Sequence, residues 1–219
     1  MDILESELLQ ELTLEEQWRI DEISMIKTIP HLYRMTGEHR QVLKKYLIPA
    51  LYALWEGFVV KSFELYTKKL NELNLNINQI HPSILTHDLD IKQGLKDGRV
   101  NGNKQIQFTL ELKNYFTTNI IISGKIPTKS NVKFNTINSI LERFNLDRFP
   151  KSEFEYRLNK LLKYRNDIAH GENSLSVDDE LVLELSDTVI VCMDKLSDTM
   201  VDGFIKKRYL NEELEEKTS

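Results

Sequence analysis

Apolar residues recur at intervals of three and four along most of the chain, a pattern that predicts amphipathic helices. The predicted helices cover residues 3–29, 37–73, 135–144, 152–170 and 177 to about 207. Pro30 is expected to end or bend the first helix, and Pro49 to kink the second or mark its true start. Ser176 is the predicted N-cap of the last helix, because acidic residues follow it directly.

The centre of the chain gives a weaker pattern. Residues 71–102 are rich in Asn and Gly and are predicted to be irregular. His81, His87 and Asp88 fall in this stretch, but their spacing matches no structural zinc pattern, so they are predicted loop residues. Residues 104–122 show partial alternation, which fits either a short hairpin or a short helix with extended ends.

Composition favours one helical domain. The chain has 219 residues, of which 41% are hydrophobic, and only 8 Gly and 5 Pro, too few for a turn-rich all-β fold. We therefore predict a single all-α domain over residues 1–219, with a frayed tail at 208–219. The net charge of −5 argues against non-specific nucleic-acid binding through bulk charge.

Compartment signals point to the cytoplasm. Cys192 is the only cysteine, so no disulfide can form within the chain. The first residues lack the basic and apolar regions of a signal peptide. The most apolar run, residues 46–60, is too short and interrupted to span a bilayer. We expect a cytoplasmic protein without a membrane partner.

One stretch carries polar groups that apolar periodicity does not explain: Arg165, Asn166 and His170, followed by Gly171. A glycine just past a periodic run is a common C′ residue, so His170 is expected in the last turn or at the cap. Arg165 and His170 are about 140° apart around a regular helix. They converge only where the helix ends or bends, or across an interface between two copies.

These residue types suit RNA cleavage without a metal. Arg165 binds phosphate in a forked manner, and His170 exchanges a proton near neutral pH. A base that deprotonates the 2′-hydroxyl starts attack on the adjacent phosphorus and leaves a 2′,3′-cyclic phosphate. Asn166 would bind the phosphate or hold the imidazole. Taken alone, the pair also fits a surface arginine and a capping histidine.

Glu56 lies inside the apolar segment Leu-Trp-Glu-Gly-Phe at 54–58. It is either a surface glutamate on the polar side of the helix or a residue that hydrogen-bonds near the motif and orients a base. Gly57, next to it, costs roughly 1 kcal/mol relative to Ala in mid-helix. Close approach of another helix is one reason to tolerate it.

The string Tyr-Arg-Asn-Asp-Ile-Ala-His-Gly at 164–171, late in a helical chain and followed by one long helix, resembles the HEPN superfamily. That superfamily carries Arg, four to six residues, then His, often with a polar residue directly after Arg. The segment at 54–58 resembles a feature of stand-alone bacterial HEPN proteins. The resemblance spans roughly 40–73 and 135–207, and leaves 76–133 as a predicted insertion of uncertain structure.

The resemblance implies a HEPN-type helical bundle that pairs as a two-fold dimer, with a metal-independent endoribonuclease site at the interface. Many such proteins are toxins or effectors of antiphage defence. On this reading Arg165 and His170 are catalytic, Asn166 and Glu56 support them, and no cofactor or metal is needed. The expected partners are RNA, a second copy, and an antitoxin or defence protein. The alternatives are a non-catalytic module that binds nucleotide, RNA or a partner protein, and a purely structural dimerisation bundle.

Local charge gives partial support. Residues 143–165 contain seven Lys or Arg and three Asp or Glu, a sum of 7 − 3 = +4, which is a modest basic patch for a phosphate backbone. The positive residues are Arg143, Arg148, Lys151, Arg157, Lys160, Lys163 and Arg165. The next helix is acidic and either binds a partner protein or faces water.

Overall fold

The computed structural model describes residues 2–93, 102–128, 131–172 and 175–211. Within these ranges it contains seven α-helices and no strand, which confirms the predicted all-α fold. The helices are α1 Ile3–Leu32, α2 Gly37–Glu72, α3 Pro82–Gln93, α4 Gly102–Tyr115, α5 Phe134–Arg143, α6 Lys151–Ala169 and α7 Asp179–Ile205.

Helix α2 is the centre of the bundle. It packs against α1, α6 and α7, while α5 lies on α6 and α3 lies on α5. Its buried face carries the largest core side chains, including Trp55, Phe58, Phe63 and Tyr66. Burying a large apolar side chain contributes about 1.5–3 kcal/mol, so this face dominates the packing energy of the helices around it.

Pro30 and Pro49, the two prolines expected to disturb helices, both lie inside helices. Helix α1 runs through Pro30 and ends two residues later, so Pro30 lies in its last turn. Helix α2 begins at Gly37, where the Thr36 hydroxyl accepts a hydrogen bond from the His39 N–H at 3.3 Å. The idea that Pro49 marks the true start of this helix was therefore wrong.

The prediction of loop residues in the centre was wrong for His87 and Asp88, which lie fully buried in α3. The Asp88 carboxylate accepts hydrogen bonds from the Ser123 N–H at 2.7 Å and from the Tyr115 hydroxyl. Lys92 pairs with the same carboxylate at 2.7 Å. These bonds satisfy the buried charge, so Asp88 ties α3 to α4 and to the segment after it. The described residues hold no group of three His, Cys, Asp or Glu side chains arranged for a metal ion.

Of the two options for residues 104–122, the helix with an extended end is the one observed. After α4 the chain runs as an extended strap, defined as residues 119–128 and 131–133, along α2. The Asn71 side chain bonds the backbone of Ile122 in both directions, at 3.0 and 2.7 Å. A Cβ on Gly124 would lie 2.9 Å from the Thr67 hydroxyl oxygen, so glycine lets the strap approach α2 closely.

Helix α6 ends as expected, with His170 at the C-cap and Gly171 at φ +82°. The N-cap of α7 is Asp178, whose carboxylate accepts a hydrogen bond from the Leu181 N–H at 2.8 Å. The prediction of Ser176 was wrong because the residue directly before the first helical turn makes this bond.

The end of the described chain returns to the start of α3. The His81 N–H donates to the Tyr209 carbonyl at 2.7 Å, and the Asn211 N–H donates to the Gln79 carbonyl at 2.9 Å. These bonds hold the first part of the tail that was predicted to fray. Residues 212–219 lie outside the described residues.

Candidate functional site

The motif lies where α6 runs antiparallel to α2. Lys45 of α2 contacts Glu172, and Tyr52, two turns further along α2, contacts Arg165. Residue numbers thus rise along α2 as they fall along α6. The buried α6 residues Leu158, Leu161, Leu162 and Ile168 set the rotation of the helix. That rotation places Arg165 at the edge that faces α2.

Two contacts hold the guanidinium of Arg165 in place. Its Cζ atom lies 4.8 Å from the centroid of the Tyr52 ring, a cation–π contact. Its Nη1 atom donates to the Asn166 Oδ1 atom at 2.8 Å. No other described residue accepts a hydrogen bond from it, so several of its five N–H donors remain for a phosphate. Arg165 and Asn166, both predicted site residues, are thus brought together.

Tyr52 supports Arg165 and was not identified from the sequence. It is buried, and its hydroxyl accepts a hydrogen bond from the Val132 N–H at 2.7 Å. The Trp55 indole N–H donates to the Val132 carbonyl at 3.1 Å. Burial raises the pKa of Tyr52, while the Val132 N–H opposes this change. The strap therefore holds a neutral phenol ring against the guanidinium.

Glu56 lies one turn beyond Tyr52 and is half-buried. Burial raises the pKa of its carboxyl group, and the charge of Arg165 opposes this rise. The Glu56 carboxyl group thus lies within electrostatic range of Arg165, but no residue in the described ranges forms the hydrogen bond with it that the second interpretation requires. Gly57 needs another explanation than close packing, since an added Cβ would meet only the Arg19 Nη2 atom at 3.8 Å.

His170 lies apart from Arg165 within one chain. Its backbone N–H donates to the Asn166 carbonyl at 2.9 Å, and its side chain is exposed. No residue in the described ranges hydrogen-bonds the imidazole, and none joins it to Arg165. One chain thus fixes the guanidinium and leaves the imidazole facing solvent, as the angle of about 140° between them requires.

Lys45 is a second residue that the sequence did not single out. Its Nζ atom donates to the Glu172 carbonyl at 2.6 Å, two residues after His170. Lys45, Tyr52 and Glu56 lie at i, i+7 and i+11, which is one face of α2. The sequence therefore contained a signal that these three residues share a face of α2. Only the position of α6 in the structure shows that this face is directed at the motif.

The basic patch predicted at 143–165 is largely neutralised. Its ion pairs are Arg143–Asp90 at 3.0 Å, Arg148–Glu142, Lys151–Glu155 at 3.7 Å and Lys160–Glu184 at 2.6 Å. Three of these acids lie outside the counted window, and Arg208, also outside it, pairs with Asp147 at 2.6 Å, so the sum becomes 8 − 6 = +2. The predicted +4 was therefore an overestimate.

None of the described helices has the length and apolar character needed to cross a membrane. A search of curated proteins and a search of solved structures each found no match to this chain. A protein-family model described as RiboL-PSP-HEPN matches residues 14–202, which run from within α1 to near the end of α7 and include the whole motif. This match covers most of the 219 residues and confirms the HEPN resemblance. The chain belongs to the RiboL-PSP-HEPN family.

Proposed function

We propose that this chain is a metal-independent endoribonuclease with Arg165 and His170 as its catalytic residues. Membership of a HEPN family suggests an RNase or a nucleotide-related module. The observation that carries the finer proposal is the guanidinium of Arg165, stacked on Tyr52 and bonded to Asn166 with donors to spare. A preorganised cation of this kind stabilises the charge that develops on a phosphoryl group.

In the proposed reaction the His170 imidazole takes the proton of a 2′-hydroxyl. The 2′-oxygen attacks the adjacent phosphorus, and the bond from phosphorus to the 5′-oxygen breaks. The leaving oxygen takes up a proton from water and the imidazolium returns its proton to water, so the products are a 2′,3′-cyclic phosphate and a 5′-hydroxyl. Arg165 binds the non-bridging oxygens, Asn166 keeps its guanidinium oriented, and Glu56 adds negative charge beside it.

The proposal includes a homodimer with the site at its interface. Within one chain the side chain of His170 is exposed and forms no hydrogen bond with Arg165. A two-fold interface would bring a second Arg165 and a second His170 into the same cleft, so that each imidazole lies near a guanidinium. The wider role, as a toxin or antiphage effector in the cytoplasm restrained by an antitoxin or defence protein, follows from what HEPN proteins often do.

The test is cleavage of single-stranded RNA by purified protein in excess EDTA. Wild type is expected to cut and to leave cyclic phosphate ends, and His170→Ala is expected to lose about 10²–10⁴-fold in rate, as loss of a general base does. Arg165→Ala should lose a similar factor. Arg148→Ala removes the same charge from an exposed pair with Glu142 and should cut normally. Intact RNA with wild-type dimer, or cutting by His170→Ala at the wild-type rate, refutes the proposal.

The exposure of His170 also suits the alternative, a non-catalytic module that binds nucleotide, RNA or a partner protein. In that case Arg165→Ala weakens binding while RNA stays intact with every variant. A structural dimerisation bundle predicts that both substitutions are silent. The growth rate of cells that express the protein separates these two alternatives from a toxin. A toxin should slow growth as the wild-type protein and leave growth unchanged as His170→Ala.

A further inference from the structure

Positive charge collects at the turn between α1 and α2. Residues 31–46 contain four Lys or Arg and one Glu, a sum of 4 − 1 = +3, in a chain whose net charge is −5. The Asp179 carboxylate pairs with Lys44 at 2.7 Å and reduces this sum to +2. The turn therefore keeps +2 over 16 residues, as much uncompensated charge as the longer stretch 143–165 keeps together with its partners.

The remaining cations are not paired with acids. Arg34 is exposed, and no carboxylate in the described ranges lies within ion-pair distance of Arg34, Arg40 or Lys45. The Arg40 Nε atom is buried and has no hydrogen-bond acceptor among the described residues. A guanidinium with unused donors is suited to a phosphate oxygen from outside the chain.

Exposed aromatic rings lie among these charges. Tyr33 is 62% exposed and Tyr46 is 61% exposed. A cationic surface that carries exposed rings fits a single-stranded nucleic acid, because the backbone contacts the charges while unpaired bases stack on the rings. A duplex, whose bases are already stacked, would not use the rings, and neither would an acidic peptide.

Lys45 connects this group of residues to the candidate site. Lys45 bonds the Glu172 carbonyl, two residues past His170. From Lys45 to the start of α2 at Gly37 the helix rises about 12 Å, at about 1.5 Å per residue. Arg40 lies on this part of α2, and Arg34 lies just before it in the turn. The three cations therefore lie at increasing distance from the motif along the axis of α2, with Arg40 about 140° around the helix from Lys45, so a strand that contacts both passes around the start of α2.

We propose that Arg34, Arg40 and Lys45, with Tyr33 and Tyr46, bind the single-stranded RNA that flanks the phosphate presented to His170. We call these five residues the RNA track. The inference rests on the proposed function, since it extends the same site, and it assigns the track to binding and not to chemistry. Phosphate contacts made there position RNA of any sequence.

The test is binding of a labelled single-stranded RNA to full-length protein carrying His170→Ala, measured between 50 and 200 mM salt. In that background Arg34→Gln/Arg40→Gln should weaken binding about tenfold and lower the salt slope by about 1.4, as loss of two phosphate contacts on a single strand does. Arg148→Gln/Lys151→Gln removes two exposed charges elsewhere and should change neither quantity. Arg34→Gln alone, at an exposed position, covers the case in which Arg40→Gln disturbs folding.

The rings give an independent readout. Tyr33→Ala/Tyr46→Ala should weaken binding several-fold with an unchanged salt slope, because stacking releases no counterions. Equal affinities of the Arg34→Gln/Arg40→Gln pair and its control overturn the proposal. The proposal is also overturned if polyglutamate competes as strongly as RNA and the tyrosine substitutions have no effect. That result would assign the surface to an acidic protein.

Cleavage separates this inference from the proposed function. With active protein, Arg34→Gln/Arg40→Gln should raise KM about tenfold and leave kcat within twofold, because the track binds RNA equally in the ground and transition states. Cleavage with an unchanged KM refutes the RNA track alone. Absence of cleavage by wild type refutes the nuclease, while the binding assay still decides the track.

Discussion

Replacing Tyr52 by Phe should destabilise the fold without disturbing the candidate chemistry. The hydroxyl of Tyr52 accepts a hydrogen bond from the backbone N–H of Val132, a residue that is 0% exposed. Phenylalanine keeps the ring beneath Arg165, so the cation–π contact remains. It leaves a buried amide without its acceptor, which costs about 1–3 kcal/mol. For a chain of this size that loss corresponds to a Tm lowered by about 2–12 °C.

Unfolding in urea, followed by circular dichroism, measures the change. The midpoint should fall while the slope m stays constant, because the unfolded state and the buried area are unaffected. Tyr46→Phe is the matched control: it deletes the same hydroxyl from a side chain that is 61% exposed, and it should shift stability by less than about 0.5 kcal/mol. Cleavage per folded molecule should stay within about twofold of wild type for both variants.

A Tyr52→Phe protein as stable as Tyr46→Phe would refute this account of the strap. Trp55→Phe extends the test, since it removes the donor to the carbonyl of the same residue, Val132. Both bonds hold the same backbone segment, so their effects on the free energy of unfolding overlap. The loss in the Tyr52→Phe/Trp55→Phe double variant should be smaller than the sum of the two single losses by at least about 0.5 kcal/mol. Strict additivity would mean that the two bonds act independently.

Three further substitutions test local features. Gly57→Ala should stabilise the protein by up to about 1 kcal/mol in thermal unfolding, because its Cβ would meet only Arg19 at 3.8 Å. Burial lowers the pKa of His87, so the free energy of unfolding should fall as pH drops below about 6.5, by at most about 1.4 kcal/mol per pH unit. His87→Gln should flatten this pH dependence, measured between pH 7.5 and 5.5. Asp178→Ala should cost about 1 kcal/mol through the lost N-cap, whereas Ser176→Ala should cost almost nothing; the opposite order would restore Ser176 as the cap.

The helices could be predicted from the sequence because apolar periodicity is a local property. Residues 135–144 and 152–170 were predicted, and α5 Phe134–Arg143 and α6 Lys151–Ala169 are observed. The same local signals placed His170 and Gly171 at the end of α6, since a helix cap depends only on neighbouring residues.

What could not be predicted depends on residues distant in sequence. Asp88 looked like a loop residue because its hydrogen-bond partners, Ser123 and Tyr115, follow 35 and 27 positions later. Tyr52 lies within the apolar stretch 46–60, and nothing near it in sequence shows that Arg165 and Val132 flank its ring. The charge count failed for the same reason, since the neutralising acids of the basic patch come partly from other helices.

The antiparallel pairing of α2 and α6 has a consequence for synthesis on the ribosome. Lys45 and Glu172, which meet at one end of the candidate site, are separated by 127 positions. At about 5–20 residues per second, α2 is made roughly 6–25 s before its partner. For most of that interval the nascent chain lacks the guanidinium of Arg165 and the imidazole of His170. The hydroxyl of Tyr52 also lacks its donor until Val132 has been added. A nuclease of the proposed kind, built in this order, leaves the message that encodes it uncut by that chain until Arg165 and His170 have been translated.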